Sequence, residues 1–284
     1  MADRQQKGSF KEKKPPMELI HYSYARVGLM GNPSDGYYGK TISFLISNFF
    51  VRLTLIPNHS TENSIISFLK NGNSNNDCNL SFDSLNSLVE MSKNKGYDKE
   101  NCLLQATCKT TNLILSVEKD ELNISAGLQD RVIQVYGGLV YMDFNKDQMT
   151  KHGFGIYEKL DINLLPKGLW IAYELNHSDS GEIHTDVRKR YESGDQKVID
   201  AMKQFISFTE QARNILIHKN ETKRRDLAEL MNKNFDLRRE IFGDQILGLW
   251  NGDDDDDPAI LTNAEKLKNE LVKKEIRFCW LIPQ

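Results

Sequence analysis

Residues 116–144 read SVEKDELNISAGLQDRVIQVYGGLVYMDF. This stretch has an acidic start, a glycine ahead of Leu-Gln-Asp, and a pair of glycines ahead of an apolar run. Its last part, residues 134–144, predicts a strand because apolar residues recur there with few interruptions. Two of its carboxylates, Glu118 and Asp130, are twelve residues apart.

A second stretch, residues 24–41, reads YARVGLMGNPSDGYYGKT. It opens within an alternating strand, which places Arg26 on the same face as the tyrosines before it. The strand ends in a polar, glycine-containing loop over residues 31–36, a composition typical of turns. Two further strands are predicted over residues 41–48 and 50–56, so this part of the chain is rich in strands.

The remainder of the chain predicts helices alternating with strands. In chain order these are a helix over 82–93, a strand over 168–175, helices over 195–219 and 223–242, a helix after Asp257-Pro258, and a strand over 276–282. An aspartate followed by proline is a common N-cap and first helical residue. The pattern indicates an α+β or mixed α/β fold in two lobes.

Composition excludes several classes of function. The 284 residues, 39% of them hydrophobic, provide enough core for one large domain or two modest ones. A net charge of −3 without a basic stripe argues against nucleic-acid binding. The sequence contains no run of eighteen apolar residues, which predicts no membrane-spanning helix, and its polar start is not expected to act as a secretory signal. Four cysteines without a CxxC pair favour reduced thiols in the cytoplasm, and residues 1–16 predict a disordered basic tail.

Both quoted stretches resemble motifs of the GHMP superfamily of small-molecule kinases, and most closely those of glucuronokinases. Residues 24–41 resemble the first glucuronokinase motif, and AGLQD followed by YGGL resembles the segment that carries the catalytic aspartate. Residues 177–202 (HSDSGEIHTDVRKRYESGDQKVIDAM) and 227–244 (LAELMNKNFDLRREIFGD) also look glucuronokinase-like. Together the similar stretches cover well over half of the chain.

The resemblance implies an α+β, two-lobe GHMP kinase fold, incomplete in this chain. Residues 17–150 would form a lobe like the βαβ fold of ribosomal small-subunit proteins, and residues 151–284 a ferredoxin-like lobe. It also implies that ATP and Mg²⁺ serve to phosphorylate glucuronate at its anomeric oxygen, on a route to UDP-glucuronate. The partners would be a sugar acid and ATP, with no membrane and no nucleic acid, and the oligomeric state stays open.

Carried across by position, the resemblance implies three roles in catalysis. Asp130 would be the catalytic carboxylate that faces the sugar hydroxyl. Arg26 would stabilise the charge that develops near the transferred phosphate. Glu118 would help to hold Mg²⁺, a hard cation that prefers carboxylate and phosphate oxygens.

The resemblance also implies residues that bind the sugar acid. Asp35 would bind sugar hydroxyls. The loop positions beside it are Asn32, Ser34 and Gly36. Arg188 and Arg190 are candidates for the uronate carboxylate, because a guanidinium pairs with a carboxylate through two hydrogen bonds.

Two glycine-rich motifs of the superfamily have no counterpart in this sequence. The second motif, a Gly-Ser-Ser loop that opens a helix and holds nucleotide phosphates, should lie within residues 42–117, where only Gly72 and Gly96 occur. The third should follow Leu249, where Asp253–Asp257 form an acidic run instead. Two hypotheses therefore stay open. One is an active kinase, and the other is a non-catalytic relative or inactive isoform that binds a sugar acid or a protein partner.

Overall fold

The computed structural model describes residues 18–55, 66–69, 78–83, 85–95, 127–174, 180–218, 222–242, 246–249, 258–274 and 276–284. The strands in these ranges are β1 Leu19–Met30, β2 Lys40–Leu55, β3 Ile66–Leu69, β4 Cys78–Phe82, β5 Leu139–Asp143, β6 Ile156–Leu160, β7 Leu169–Glu174, β8 Ile246–Leu249 and β9 Ile276–Trp280. The helices are α1 Leu85–Lys95, α2 Gln129–Tyr136, α3 Lys146–His152, α4 Ser180–Glu192, α5 Gln196–Ile217, α6 Lys223–Phe242 and α7 Pro258–Lys273. Short 3-10 helices span Ser34–Tyr37 and Ile162–Leu164.

The chain divides into two compact units. The first combines residues 1–22 with 52–117, and the second combines 23–51 with 118–284. Within the first unit, β3 and β4 pair antiparallel and α1 follows β4. Over the described ranges, no helix combines the length and apolar character that a bilayer span requires. The expected lobes over 17–150 and 151–284 stay a prediction, and the expected tail over 1–16 lies outside the described residues.

A four-stranded sheet in the order β1-β2-β5-β6 lies between the helices of the second unit. Successive side chains along each strand point to opposite faces of the sheet, and both faces are apolar. One face packs on α5 and α6. The cluster between them includes Val27, Leu29, Phe44 and Leu139 from the sheet and Leu216 and Leu227 from the helices. The other face packs on α2. The buried residues between them are Leu45, Val140, Met142 and Phe144 on the sheet side and Val132 and Ile133 on the helix. Arg26, between Ala25 and Val27 of the first face, therefore lies on the side of α2.

A second apolar cluster joins three helices to the short 3-10 helix at Ser34–Tyr37. Its buried members from α4, α5 and α6 are Val187, Val198, Ala201, Met202, Phe205, Ile241 and Phe242. Tyr37 from the 3-10 helix completes it. The polar loop that follows β1 is thus anchored at its end in a helical core.

A three-stranded antiparallel sheet has β7 at its centre, in the order β8-β7-β9. Trp170 of β7 lies opposite Trp280 of β9, and Leu169 lies opposite Leu249 of β8. Helix α6 precedes β8 along the chain, and α7 precedes β9.

The structure confirms several predicted elements and corrects others. The first strand, the helices at Gln196–Ile217 and Lys223–Phe242, and the strands at Leu169–Glu174 and Ile276–Trp280 match the expected positions. The two strands expected over 41–48 and 50–56 are one strand, β2. Asn48 does not interrupt this strand, because its side-chain Nδ2 donates to Trp280 O at 2.7 Å and its Oδ1 accepts from Ile282 N at 2.8 Å.

The strand expected over residues 134–144 is wrong in its first part. Residues 134–136 finish α2, and β5 begins only at Leu139. Gly137 and Gly138 lie between the two elements with φ of 63° and 68°, a conformation that glycine adopts readily and that ends the helix. Helix α4 was not among the predicted elements, although its range falls within a glucuronokinase-like stretch.

Candidate active site

Arg26 and Asp130 form an ion pair at the start of α2. Arg26 Nε donates to Asp130 Oδ1 at 2.5 Å. The arginine side chain is only 20% exposed, whereas that of Asp130 is 65% exposed. Among the described residues, Asp130 Oδ2 has no hydrogen-bond partner. The pair therefore holds one carboxylate oxygen in place and leaves the other directed to solvent.

Local backbone chemistry makes room for this pair. Gly28 follows Arg26 on the same face of β1, two residues further along. A Cβ at Gly28 would lie 3.0 Å from Arg26 Nη1 and 2.9 Å from Asn32 Cβ. The missing side chain thus lets the guanidinium lie between the strand and the loop that follows it.

Asp35 is a buried carboxyl group next to this pair. It accepts hydrogen bonds from Gln129 N at 3.3 Å and from Gln129 Nε2 at 2.8 Å. Burial raises the pKa of Asp35 to about 6, and it outweighs the opposing effects of the Gln129 N–H and of Arg26. A Cβ at Gly127 would overlap the Asp35 carboxylate, so only glycine allows the chain to approach it this closely.

Gln129 connects the loop after β1 to the AGLQD segment at the start of α2. Its side chain is almost fully buried, with 4% of the residue exposed. The amide nitrogen donates to both Asn32 Oδ1 and Asp35 Oδ1, and the amide oxygen accepts from Ser43 Oγ at 3.2 Å. The sequence analysis missed this residue. The signal available to it was the position of Gln129 directly before Asp130 in the AGLQD segment.

The loop over residues 31–36 is also held by its backbone. Ser34 is fully buried and its Oγ donates to Lys40 O at 2.9 Å, so this hydroxyl closes the turn. Gly31 N donates to Asn234 Oδ1 at 3.1 Å, and Arg238 Nη1 donates to Asn32 O at 2.8 Å. Both partners come from α6 and were missed by the sequence analysis.

The two arginines proposed for the uronate carboxylate have different surroundings. The Arg188 guanidinium lies 5.0 Å from the centre of the Tyr37 ring, and its Nη2 would lie 3.2 Å from a Cβ at Gly36. Burial raises the pKa of Tyr37 to about 12, so its ring stays neutral and offers a face to the cation. Arg190 Nε instead donates to Asp195 Oδ2 at 2.9 Å.

Helix geometry explains this difference. Two residues along a helix are about 200° apart around its axis, so Arg188 and Arg190 leave α4 in opposite directions. Asp195, the partner of Arg190, caps α5 by accepting from Lys197 N and Val198 N. The structure therefore brings Arg188, and not Arg190, to the loop that carries Asp35.

The expected Mg²⁺ ligand, Glu118, lies outside the described residues. So do most of residues 56–117, where the Gly-Ser-Ser loop was sought, and residues 250–257, where the third motif was sought. Within the ranges that the structure does describe, no group of three His, Cys, Asp or Glu side chains could hold a metal ion. Magnesium binding at Glu118 thus stays a prediction.

Comparison with known proteins identifies the family. No protein-family model matches the chain. Glucuronokinase 1 of Arabidopsis thaliana is 38% identical over 293 aligned residues, which cover 82% of this chain and 77% of that protein. The chain belongs to the glucuronokinase family. Probable glucuronokinase 2 of the same plant is also 38% identical, with 81% of this chain and 76% of that protein covered.

These alignments contain gaps. An aligned stretch of 293 positions takes up only 82% of a 284-residue chain, so Glucuronokinase 1 has residues within it that have no counterpart here. The gaps set this glucuronokinase-family chain apart from the relative it matches.

Solved structures agree on the fold. The mevalonate kinase of Methanococcus jannaschii has a TM-score of 0.61 at 16% identity, with 94% of this chain and 99% of that chain covered. The galactokinase of Lactococcus lactis, in complex with galactose, has a TM-score of 0.60 at 14% identity, with 94% and 93% covered. Likeness at this level of identity shows the fold alone. The expected GHMP kinase fold is confirmed by these structures, and the glucuronokinase resemblance is confirmed by the two Arabidopsis relatives.

Proposed function

We propose that this chain is an ATP-dependent sugar-acid kinase of the cytoplasm that converts glucuronate to glucuronate 1-phosphate, the precursor of UDP-glucuronate. The observation that carries the proposal is the Asp130 carboxylate, held by Arg26 through one oxygen and open to solvent through the other. The choice of glucuronate is supported by the names of the two relatives, a glucuronokinase and a probable glucuronokinase.

The proposed chemistry is an in-line phosphoryl transfer. The anomeric oxygen of the sugar attacks the γ-phosphorus of ATP, the bond from that phosphorus to the bridging oxygen breaks, and ADP leaves. Asp130 Oδ2 accepts the proton of the anomeric hydroxyl and passes it to solvent. Arg26 keeps the carboxylate oriented, and its positive charge favours the charge that develops on the transferred group.

The sugar acid is bound by the loop over residues 31–36 and by α4. Asp35 is ionised above its pKa of about 6 and accepts hydrogen bonds from sugar hydroxyls, with Asn32 beside it. Arg188 pairs with the uronate carboxylate, because its guanidinium borders Gly36 and its own ion pair with Glu192 is long, at 3.9 Å. Arg190 is held by a closer hydrogen bond to Asp195, at 2.9 Å. Ser34 shapes the loop through its bond to Lys40 O, and Gly36 leaves room for the arginine.

Magnesium would accompany ATP in this reaction. Glu118 remains the proposed protein ligand, because carboxylate oxygens are what Mg²⁺ prefers. The ion would neutralise phosphate charge, and none of the roles given to Asp130, Arg26, Asp35 or Arg188 depends on where it binds.

The test is ADP release by the purified chain with ATP, Mg²⁺ and glucuronate, beside an Asp130→Asn variant. We expect the variant to lose about 10²–10⁴-fold in kcat, the usual contribution of a general acid or base. Asp147→Asn is the matched control, since Asp147 is exposed and lies in the first turn of α3 as Asp130 does in α2. Equal thermal stability of the three proteins would show that folding is unaffected. Normal turnover by Asp130→Asn would refute the catalytic role.

A second candidate function is a non-catalytic family member that binds a sugar acid or a protein partner. It is favoured by the missing Gly-Ser-Ser sequence within residues 42–117, because main-chain donors of such a loop hold nucleotide phosphates. This alternative predicts no change in melting temperature on addition of ATP and Mg²⁺. A saturable, Mg²⁺-dependent rise in melting temperature with ATP would contradict it.

A further inference from the structure

We propose that Asn234 and Arg238, one turn apart on α6, are positioning residues that clamp the backbone of the sugar-binding loop over residues 31–36. The inference rests on the proposed function, because that function assigns the loop to the sugar acid. Neither residue was expected from the sequence motifs.

The clamp consists of two hydrogen bonds to adjacent residues of the loop. Asn234 Oδ1 accepts from Gly31 N at 3.1 Å, and Arg238 Nη1 donates to Asn32 O at 2.8 Å. Residues four apart lie on the same face of a helix, so α6 presents an acceptor and a donor side by side. Because both bonds go to main-chain groups, the side chain of Asn32 stays directed toward Gln129.

Packing makes the position of the loop depend on these bonds. Gly31 has φ of 78°, and a Cβ there would overlap Lys40 O and Thr209 Oγ1. Thr209 Oγ1, on α5, lies 3.0 Å from Lys40 O and 2.7 Å from Phe205 O, so its single proton is shared between the two carbonyls. The loop thus lies against β2 and α5 on one side and against the clamp on α6, and it has little freedom to shift without losing a hydrogen bond.

Charge gives Arg238 a second effect. The residue is only 8% exposed and lies over the Phe242 ring at 5.6 Å. Burial lowers the pKa of Arg238 to about 10, which still leaves it protonated at neutral pH. Its charge is repelled by that of Arg26 and attracted by that of Asp35. Among the described residues, the other charged or titratable neighbours of Asp35 are Arg26 on β1, Asp130 on α2 and Tyr37 on its own 3-10 helix. Arg238 therefore favours the ionised form of the carboxyl group that binds the sugar.

The clamp acts on the sugar acid and not on ATP, and this separates it from a general structural role. We expect Asn234→Ala and Arg238→Gln to weaken glucuronate binding about tenfold, the loss expected when one buried hydrogen bond is removed. The KM for ATP should stay within about twofold of the wild-type value, because the two clamp bonds go to the backbone of Gly31 and Asn32, to which no phosphate-binding role is assigned. Arg238→Gln removes a positive charge that favours ionised Asp35, so glucuronate binding by this variant should be lost at a higher pH than in the wild type as the pH falls. Arg238→Lys keeps the charge and should leave this pH limit unchanged.

Hydrogen exchange tests the clamp independently of activity. The full-length wild type and each variant are exchanged in deuterated buffer, and peptides covering residues 31–36 are followed by mass spectrometry. Asn234→Ala and Arg238→Gln should exchange faster in this loop. Asn234→Asp keeps the acceptor and should restore the protection. Arg239→Gln is the matched control, since Arg239 is exposed on the same helix and pairs with Asp236 at 3.2 Å.

Calorimetry with glucuronate, together with the kinetic assay, separates the two proposals. Wild type that binds glucuronate without turnover would refute the proposed kinase function and leave the clamp standing if the loop exchange responds. Unchanged exchange of the loop in both Asn234→Ala and Arg238→Gln would overturn the clamp whatever the activity. Faster exchange with unchanged glucuronate affinity would also overturn it, because the loop would then not position the ligand. Equal losses for glucuronate and ATP would indicate a merely structural role.

Discussion

Replacing Asp35 by asparagine tests whether burial in the folded protein disfavours the ionised form of this carboxyl group. Burial raises the pKa of Asp35 from 3.8 to about 6. Between these two pH values the folded state binds more protons than the unfolded state, so the free energy of unfolding falls as pH rises. A difference of about two pKa units corresponds to about 3 kcal/mol, since each unit is worth about 1.4 kcal/mol.

Most of this loss should occur between about pH 4 and about pH 7. Asp35→Asn removes the titration and keeps the size of the side chain. The amide can accept only one of the two hydrogen bonds from Gln129, which costs about 1 kcal/mol at every pH. The diagnostic quantity is therefore the change with pH of the difference between the two proteins, and not its value at one pH.

Urea unfolding of both proteins across this pH range measures the effect. The stability of the wild type relative to Asp35→Asn should fall by about 2–3 kcal/mol from the lowest to the highest pH. A difference that does not depend on pH would show that the carboxyl group is not buried as described. A difference that grows in favour of the wild type as pH rises would show that its pKa is lowered, and the argument from burial would be refuted.

Two more predictions concern the shape and the specificity of the site. Gly127→Ala should displace Asp35, because its new methyl group overlaps the carboxylate, and should weaken glucuronate binding by about tenfold or more in calorimetry; unchanged affinity would show that Asp35 does not contact the sugar acid. Arg188→Gln should reduce the ratio of kcat/KM for glucuronate over glucose by about tenfold or more. Arg190→Gln should leave that ratio unchanged, and an equal fall in both variants would contradict the assignment of Arg188 alone.

The sequence predicted those parts of the fold that depend on local patterns. Alternation along β1 correctly placed Arg26 on the face of Tyr24, which the structure shows to be opposite that of Val27. Helical spacing located α5 and α6. Errors arose where distant contacts overrule a local signal. Asn48 was taken as the end of a strand, but its hydrogen bonds to Trp280 and Ile282 allow β2 to continue.

The residues of the candidate site could be predicted where they lie within a recognisable motif, and not where they come from segments far away in the sequence. Arg26, Asp35 and Asp130 come from two recognisable motifs, and the structure brings them together. Their roles in binding and catalysis stay predictions. Asn234 and Arg238 are 203 and 206 residues away from the groups that they bind, and no periodicity or spacing indicates such contacts.

The separation between Gly31 and Asn234 also matters during synthesis. A ribosome that adds about 5–20 residues per second needs roughly 10–40 s to reach α6 after it has made the loop. Gln129 follows Asp35 by 94 residues, so Asp35 lacks this partner for a little under half of the interval. The helical clamp is missing throughout it, because α6 is still to be translated. Nascent chains halted before Asn234 should therefore lack both clamp bonds to the loop over residues 31–36, so the candidate site is completed only when most of the protein has been made.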